Sequence, residues 1–278
     1  MPLTPKKTRA ALALAVDALH PQGHAGLGPT LRAHAAAAVQ STAVVTAIRP
    51  LAALPARLVG DALDRAAKLA PDAIGLGDPG DREQAAALAD ALAEHAARAP
   101  LVCAPGAVDR RGEPRFDPAA LAVLAERLWR HADAVIVDGA EAALVTGRPA
   151  PDLPRMRDAA KRLFDRGPTW VVITGGRAEG HAVDLAYDGR DFTELGADRI
   201  ALDRPTGAGA TFAGLVVAGR ARGRALLDAL AAAKQGVGHA LAHAVPVGPS
   251  DRADPLGPAF AALGLDPRPI EVPSAEGD

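Results

Sequence analysis

The chain has 278 residues, a formal net charge of -2 and 23% charged side chains. This balance argues against a nucleic-acid partner, because proteins that bind the phosphate backbone usually carry a basic face. The absence of a run of about 18 apolar residues argues against a membrane span. A single cysteine, Cys103, excludes an intrachain disulfide framework. We therefore expect a cytoplasmic protein.

Short apolar runs alternate with longer amphipathic stretches along the chain. The runs predict strands at residues 10–16, 42–48, 73–77, 101–104, 134–137 and 170–174. The stretches between them predict helices, among them residues 81–98, 118–130 and 154–166. The first run follows three basic residues, as in a signal peptide, but it is short and leads into a Gly-rich turn, so we interpret it as a strand. The alternation predicts an α/β fold with a mostly parallel central sheet flanked by helices.

The second half of the chain contains a predicted hairpin and two further helices. Asp188 and Gly189 separate two runs with a period of two, which is a good hairpin signal. The last two predicted helices end near Ala221 and His243. We find no internal repeat and no linker. We therefore expect one domain over residues 1–267, followed by a disordered tail at residues 268–278.

A glycine-rich turn lies directly before the long apolar helix that ends near Ala221. It reads Gly207-Ala208-Gly209-Ala210 and is followed by Thr211. We name residues 207–210 the anion turn. Glycines allow the backbone to approach a ligand closely, and the N–H groups at a helix start favour an anion. Because a phosphoryl group gathers negative charge during transfer, such a turn can stabilise its transition state. The alternative is an ordinary tight turn, since the GxxxxGK pattern of a P-loop is missing.

The order of these motifs resembles the hydroxymethylpyrimidine phosphate kinases of the ribokinase superfamily, with the pyridoxal kinases as siblings. The matching segments cover roughly residues 10–258. They are Gly23 with Ala25-Gly26-Leu27, residues 133–147, the Thr174-Gly175-Gly176 strand end, residues 182–189 and the glycine-rich turn. The resemblance implies a ribokinase-like three-layer fold, ATP as phosphoryl donor and Mg²⁺. It also implies a hydroxymethylpyrimidine-like acceptor of thiamine biosynthesis, and a homodimer.

The resemblance also implies roles for individual residues. The backbone of residues 207–210 would form the anion hole, and the metal pair would be Asp138 and Glu141, where the family has Asn-x-x-Glu. Nucleotide binding falls on Asp138, Thr174, Gly176 and Thr211, and acceptor binding on His20, Gly23, Thr46 and Leu51. Two carboxylates at a strand end can hold Mg²⁺ directly or through water. The alternative is a pair of surface acids without a role.

Several positions depart from the family pattern. The residue that helps to activate the acceptor hydroxyl, Cys in the family and Asp across the superfamily, is Ala210. The acid of an Asp-Pro-Val segment is Ala104, and the family's lysine before Gly-Gly is Thr174. The glutamine that reads the pyrimidine falls on Leu51, which favours a more apolar pocket, and the acid of the first loop falls on His20.

Other residues could replace the missing groups. His20 and His24 lie in the first loop, and a neutral imidazole is a competent base near pH 7. The charged segment at residues 109–111 could bind phosphates. The alternative for each is a loop residue without a role.

Three functions therefore stay open. The first is a small-molecule kinase with an altered acceptor site. The second is a pseudokinase that binds nucleotide or a vitamin-like ligand, and the third is a scaffold whose dimer surface is used. Ala210, Ala104 and Thr174 favour the pseudokinase, whereas the anion turn and the Asp138–Glu141 pair favour retained phosphate binding. The substitutions together indicate weak or absent kinase activity.

Overall fold

The computed structural model describes residues 9–109, 111–176, 182–202, 206–246 and 253–254. Its first half contains β1 (Leu12–Leu19), α1 (Leu27–Ala36), β2 (Gln40–Ile48), β3 (Ala52–Ala53), α2 (Ala56–Ala67), β4 (Ala73–Leu76), α3 (Arg82–Ala96), β5 (Leu101–Cys103) and α4 (Pro118–Arg127). Its second half contains β6 (Ala134–Asp138), α5 (Gly139–Thr146), α6 (Leu153–Phe164), β7 (Val171–Thr174), β8 (Ala182–Tyr187), β9 (Phe192–Ala197), α7 (Ala208–Ala221), α8 (Leu226–Ala242), β10 (Val245–Pro246) and β11 (Ala253–Asp254). The predicted tail at residues 268–278 lies outside the described residues.

The central sheet has the order β3-β2-β1-β4-β5-β6-β7-β8-β9. The six strands from β2 to β7 in this order are parallel, while β3, β8 and β9 pair antiparallel. The mostly parallel sheet and the β8–β9 hairpin agree with the prediction. Because the carboxyl ends of parallel strands meet at one edge, the loops that follow β1, β2, β4, β5, β6 and β7 lie together there.

Helices cover both faces of the sheet, which completes the predicted three-layer arrangement. One apolar cluster joins Leu14 and Val16 of β1 to the helices α2 to α6. The other joins Ala13 of β1 to α7 and α8. Small residues permit close contact on this second face. A β-carbon added to Gly75 would lie 3.0 Å from Val217 Cγ2.

The sequence analysis missed one helix and misplaced one helix end. The segment β3–α2 was not predicted, although Val59, Leu63 and Ala66 of α2 are buried at a helical spacing. Helix α4 begins at Pro118 as expected, but it ends at Arg127, and a short 3₁₀ turn follows at Trp129–His131. Within the described part of the chain, no helix is long and apolar enough to cross a membrane.

Candidate active site

The predicted anion site lies at the start of α7, which has no side-chain cap. Gly207 is the N-cap in the left-handed region, with φ 77°. No side chain caps this helix, and its first turn carries no acidic residue. Gly209 is exposed, and a β-carbon added to it would meet no atom within 4 Å. A helix start leaves its first N–H groups without partners inside the helix, and such groups favour an anion.

Thr211 adds a side-chain donor to this helix start. Its side chain is buried, and its Oγ1 has no hydrogen-bond partner. A buried hydroxyl without a partner is costly, and such groups in native proteins usually have a functional or solvent explanation. The role in nucleotide binding that was predicted for Thr211 stays a prediction.

The loop after β1 packs directly against the start of α7. We name residues 20–26 the acceptor loop. A β-carbon added to Gly207 would lie 2.9 Å from the backbone oxygen of His24, so only glycine permits this contact. Within the loop, the Gly23 N–H donates to the His20 carbonyl at 2.7 Å. Arg32 of α1 donates to the Gly23 carbonyl at 3.0 Å. The predicted acceptor residues His20 and Gly23 thus lie in a loop that touches the anion turn.

His20 is a neutral but weakly basic group in this loop. Burial, followed by the charge of Arg115, lowers the pKa of His20 to about 4. The His20 ring contacts the His24 ring edge-on, with 5.7 Å between the ring centroids. Because a general base works best with a pKa near the working pH, this environment makes His20 a poor proton acceptor.

The two other predicted acceptor residues have different surroundings. Thr46 is fully buried, and its hydroxyl donates to the Asp78 carbonyl at 2.7 Å. This bond ties the end of β2 to the loop after β4. Leu51 is 77% exposed, so its side chain lies at the surface rather than in an apolar pocket.

Asp138 and Glu141 form a capping box at the start of α5. Asp138 accepts from the backbone N–H groups of Ala140 and Glu141, both at 2.9 Å. Glu141 is buried, and its two oxygens accept from the N–H groups of Asp138 and Ala107. Among the described residues, we find no group of three or more His, Cys, Asp or Glu side chains that could hold a metal ion. Both predicted metal ligands, Asp138 and Glu141, already accept hydrogen bonds from backbone N–H groups.

The turn after β7 is held in place by a buried ion pair. Thr174 lies beside Asp138 in the register of β6 and β7. The Gly175 N–H donates to Asp184 Oδ1 at 2.9 Å, and Lys234 Nζ contacts Asp184 Oδ2 at 2.8 Å. The side chains of Asp184 and Lys234 are 5% and 14% exposed. The sequence analysis missed this pair, although an acid inside the apolar run of β8 was a usable signal.

Gly176 and the charged loop after β5 also lie at the carboxyl ends of the strands. Arg199 donates to the Gly176 carbonyl at 2.8 Å. Asp109 accepts from the N–H groups of Arg111 and Glu113, and these bonds hold the pKa of its carboxyl below the usual value. Residue 110 lies outside the described residues.

A polar cluster at the ends of β1, β2 and β4 was also missed. Asp78 is buried, and its carboxylate accepts two hydrogen bonds from the Arg49 guanidinium, at 2.7 and 2.8 Å. Asp17 is also buried, and its Oδ1 accepts from the Asp78 N–H at 2.8 Å. Burial is the main cause that raises the pKa of Asp17 to about 7. A lone acid ending an apolar run was the sequence signal for this residue.

Two open cavities lie away from this edge. One, of about 480 Å³, is lined by Arg9, Asp72 and Arg222 among others. The other, of about 310 Å³, includes Arg98, Asp133 and Arg220. These residues flank the amino ends of the strands, whereas the predicted site residues gather at the carboxyl ends.

Comparison with known proteins identifies the family of this chain. The family model described as phosphomethylpyrimidine kinase matches residues 21–255. The hydroxymethylpyrimidine/phosphomethylpyrimidine kinase of Rhizobium meliloti is 34% identical over 235 residues, which cover 81% of this chain and 88% of that protein. The thiamine biosynthesis bifunctional protein ThiED of Geobacter sulfurreducens is 34% identical over 197 residues, 70% of this chain and 40% of that protein.

Solved structures share the fold. Pyridoxal kinase of Bacillus subtilis, solved as an ADP complex, superposes with a TM-score of 0.83 at 23% identity, covering 93% of this chain and 100% of that one. Phosphomethylpyrimidine kinase of Clostridium difficile 630 gives a TM-score of 0.73 at 20% identity, covering 83% and 99%. The ribokinase-like fold is thereby confirmed, and the family match over residues 21–255 shows that the chain belongs to the phosphomethylpyrimidine kinase family.

Proposed function

We propose that this protein transfers the γ-phosphoryl group of ATP to a hydroxymethylpyrimidine or its phosphate. The names of the relatives in Rhizobium meliloti and Geobacter sulfurreducens support this acceptor and a place in thiamine biosynthesis. The observation that carries the proposal is the contact between Gly207 and the His24 backbone. It brings a phosphate-binding helix start against the loop in which the acceptor would bind.

The backbone at the start of α7 supplies the charge stabilisation in this proposal. The helix start has no side-chain cap and no acidic residue in its first turn, so the N–H groups of residues 207–210 can hold the negative charge that the transferring phosphoryl group gathers. Such donors need no reorganisation during the reaction, because the helix fixes them beforehand. Thr211 Oγ1, buried and unpartnered, adds a donor to the same helix turn.

The nucleotide side of the site would be formed by the ends of β6 and β7. Asp138 and Thr174 lie side by side there, and Gly176 follows in the turn that the Asp184–Lys234 pair secures through Gly175. We propose that this turn approaches the phosphates of ATP. A fixed turn contributes because correct positioning supplies much of the catalysis of phosphoryl transfer.

Mg²⁺ fits the observed residues poorly as a directly bound ion. Both oxygens of Glu141 and one oxygen of Asp138 accept backbone N–H groups in the capping box. Mg²⁺ usually keeps several waters and binds through one or two carboxylates plus substrate phosphates. The metal role of Asp138 and Glu141 stays a prediction, and no step proposed for this chain depends on it. One domain over residues 1–267, a homodimer and a cytoplasmic location likewise stay predictions.

A second candidate function is nucleotide binding without turnover. Ala210 favours it, because a methyl side chain cannot accept the proton of the acceptor hydroxyl. In that case the anion turn would bind ATP, while the acceptor loop would serve another ligand or none.

Titration calorimetry with ATP and Mg²⁺, followed by an ADP-release assay, separates the candidates. Hydroxymethylpyrimidine, its phosphate and pyridoxal serve as acceptors. ADP release that depends on one of them supports the kinase. ATP binding without acceptor-dependent release supports the second candidate, and no ATP binding contradicts both.

A further inference from the structure

A buried carboxylate, that of Asp17, lies near the carboxyl end of β1, on the sheet rather than on a helix. The side chain of Asp17 packs against Gly77, where an added β-carbon would lie 2.2 Å from Asp17 Oδ2. The Gly77 N–H donates to the Val16 carbonyl at 2.8 Å, so β1 and β4 stay paired at this level. Gly77 therefore creates the space that the Asp17 carboxylate occupies.

Strand alternation places this carboxylate on the α7 face of the sheet. Ala13 belongs to the apolar cluster of α7 and α8, whereas Leu14 and Val16 belong to the opposite cluster. Side chains two residues apart on a strand share a face. Asp17, four residues after Ala13, therefore faces the layer that contains α7.

The heights along the strand and the helix place Asp17 close to the first turns of α7. Gly75 contacts Val217, and Gly77 lies two residues further toward the carboxyl edge, a rise of about 7 Å. A helix rises about 1.5 Å per residue, so this level corresponds to about four to five residues before Val217. Ala210 lies seven residues before Val217 and so shares its face of the helix. By this estimate Asp17 lies level with residues 212–213, within about one helical turn of Ala210, the position at which the family has its activating residue.

We propose that Asp17 is the general base that accepts the proton of the acceptor hydroxyl. This inference rests on the proposed kinase function. In the step, the acceptor oxygen forms a bond to the γ-phosphorus of ATP while the bond from that phosphorus to the ADP oxygen breaks. The hydroxyl proton passes to Asp17 Oδ2, and ADP leaves with the bonding electron pair. Atoms and charge balance without any further reactant.

The hydrogen bonds of the cluster leave Asp17 suited to this role and Asp78 unsuited. Asp17 accepts from the Ala18 and Asp78 N–H groups through Oδ1, and no hydrogen bond within the described residues uses Oδ2. Asp78 instead accepts from Arg49 through both oxygens, and from the Gly80 N–H as well. Both oxygens of Asp78 are therefore occupied by donors, whereas Asp17 keeps one oxygen without a donor among the described residues.

The charges around Asp17 keep its basicity near neutral pH. The charged groups that act on it are Asp78 after β4, Arg49 after β2 and Arg115 in the loop after β5. Burial raises the pKa of Asp17 to about 7. The hydrogen bond from the Asp78 N–H lowers this pKa and the Asp78 charge raises it, while the Ala18 N–H and the charge of Arg115 lower it. A base of that strength is matched to pH 7, unlike His20 with its pKa of about 4.

Asp17→Asn separates this role from a structural one. The amide retains an oxygen that can accept from the Asp78 and Ala18 N–H groups, but it cannot take up a proton. The matched control is Asp158→Asn, which makes the same chemical change at a 55% exposed helix position. Both variants and the wild type are assayed with ATP and hydroxymethylpyrimidine between pH 5 and 9, and their binding of a non-hydrolysable ATP analogue is titrated.

The expected result is a loss of about 10²–10⁴-fold in kcat for Asp17→Asn, the usual contribution of a general base. Analogue binding and urea unfolding should stay close to the wild type, and the control should keep full activity. The wild-type kcat/KM should rise through an apparent pKa of about 7, and this rise should be absent in the variant. Adding Ala210→Asp to Asp17→Asn should restore part of the rate, because it returns a carboxylate to the adjoining position.

Three outcomes overturn the inference. Asp17→Asn with the wild-type rate and pH profile shows that the base is another group, while the kinase function stands. A wild-type profile without a rise near pH 7 contradicts it independently of how the variant folds. A wild type that binds ATP without acceptor-dependent turnover overturns the kinase function and this inference together.

Discussion

Gly207→Ala tests the packing between the start of α7 and the acceptor loop. Gly207 has φ 77°, a conformation that costs a residue with a β-carbon about 1–2 kcal/mol. The added methyl would also lie 2.9 Å from the His24 backbone oxygen and from Pro29 Cγ. Because neither neighbour is the end of a flexible side chain, overpacking adds about 1–3 kcal/mol. We expect the free energy of unfolding to fall by about 2–4 kcal/mol, within the sum of these two costs.

Gly209→Ala is the matched control for this variant. It adds the same methyl two residues further along, inside α7, where no atom lies within 4 Å. Replacing a helical glycine by alanine typically stabilises a protein by about 0.5–1 kcal/mol. Urea unfolding followed by circular dichroism measures both variants. Equal free energies of unfolding for the two variants would refute the described contact between α7 and the acceptor loop.

The remaining predictions concern phosphate binding, the buried ion pair and the effect of acid. Gly209→Asp should abolish ATP binding in calorimetry with an unchanged circular dichroism spectrum, because it places a carboxylate in the first turn of α7, where the phosphate would bind; unchanged affinity would contradict the assigned phosphate site. Arg49→Met should lower the free energy of unfolding by about 3–5 kcal/mol, because it leaves the buried Asp78 without its ion-pair partner. Arg155→Met, at the exposed pair with Asp152, should cost less than about 1 kcal/mol. Similar losses for both variants in urea unfolding would contradict the burial of the Arg49–Asp78 pair. Burial lowers the pKa of His34 to about 4, so protonation of the unfolded chain destabilises the fold as the pH falls below about 6.5. Relative to His34→Gln, the free energy of unfolding of the wild type should fall by up to about 1.4 kcal/mol per pH unit between pH 6.5 and 4. Parallel curves of unfolding free energy against pH for the two proteins would contradict this.

Most of the fold could be predicted from the sequence because its strands are apolar and its helices amphipathic. Asp117 before Pro118 gave a correct helix start, since the aspartate side chain accepts from the Ala119 N–H. The Asp188-Gly189 turn correctly predicted the β8–β9 hairpin, because an Asp-Gly pair favours a tight turn between two strands. Helix α2 was missed because Pro50 and Pro55 suggest an irregular segment, although three buried residues follow at a helical spacing.

The candidate site was less predictable, because its members come from distant parts of the chain. The anion turn was visible as a local glycine pattern, and its helix start has the expected geometry. The contact of Gly207 with the acceptor loop joins segments about 180 residues apart, so only the fold reveals it. Asp17 and Asp184 appeared as single acids within apolar strands, and their partners Asp78 and Lys234 come from other elements.

The predicted chemistry of single residues depended on neighbours that the sequence does not display. His20 was a reasonable base by residue type, but burial and Arg115 lower its pKa to about 4. Leu51 was predicted to line an apolar pocket, yet its side chain is mostly exposed. Conversely, Ala210 indicated a lost base, whereas we propose that the buried Asp17 carboxylate of β1 supplies one.

Phosphorylation of the acceptor itself is the measurement that tests the central claim most directly. Wild type and Gly209→Asp are incubated in parallel with ATP, Mg²⁺ and hydroxymethylpyrimidine, and the products are identified by phosphorus NMR and mass spectrometry. The account predicts a phosphate ester on the acceptor, in amounts equal to the ADP formed, with the wild type alone. ATP bound without any ester, or equal ester formation by Gly209→Asp, would contradict it.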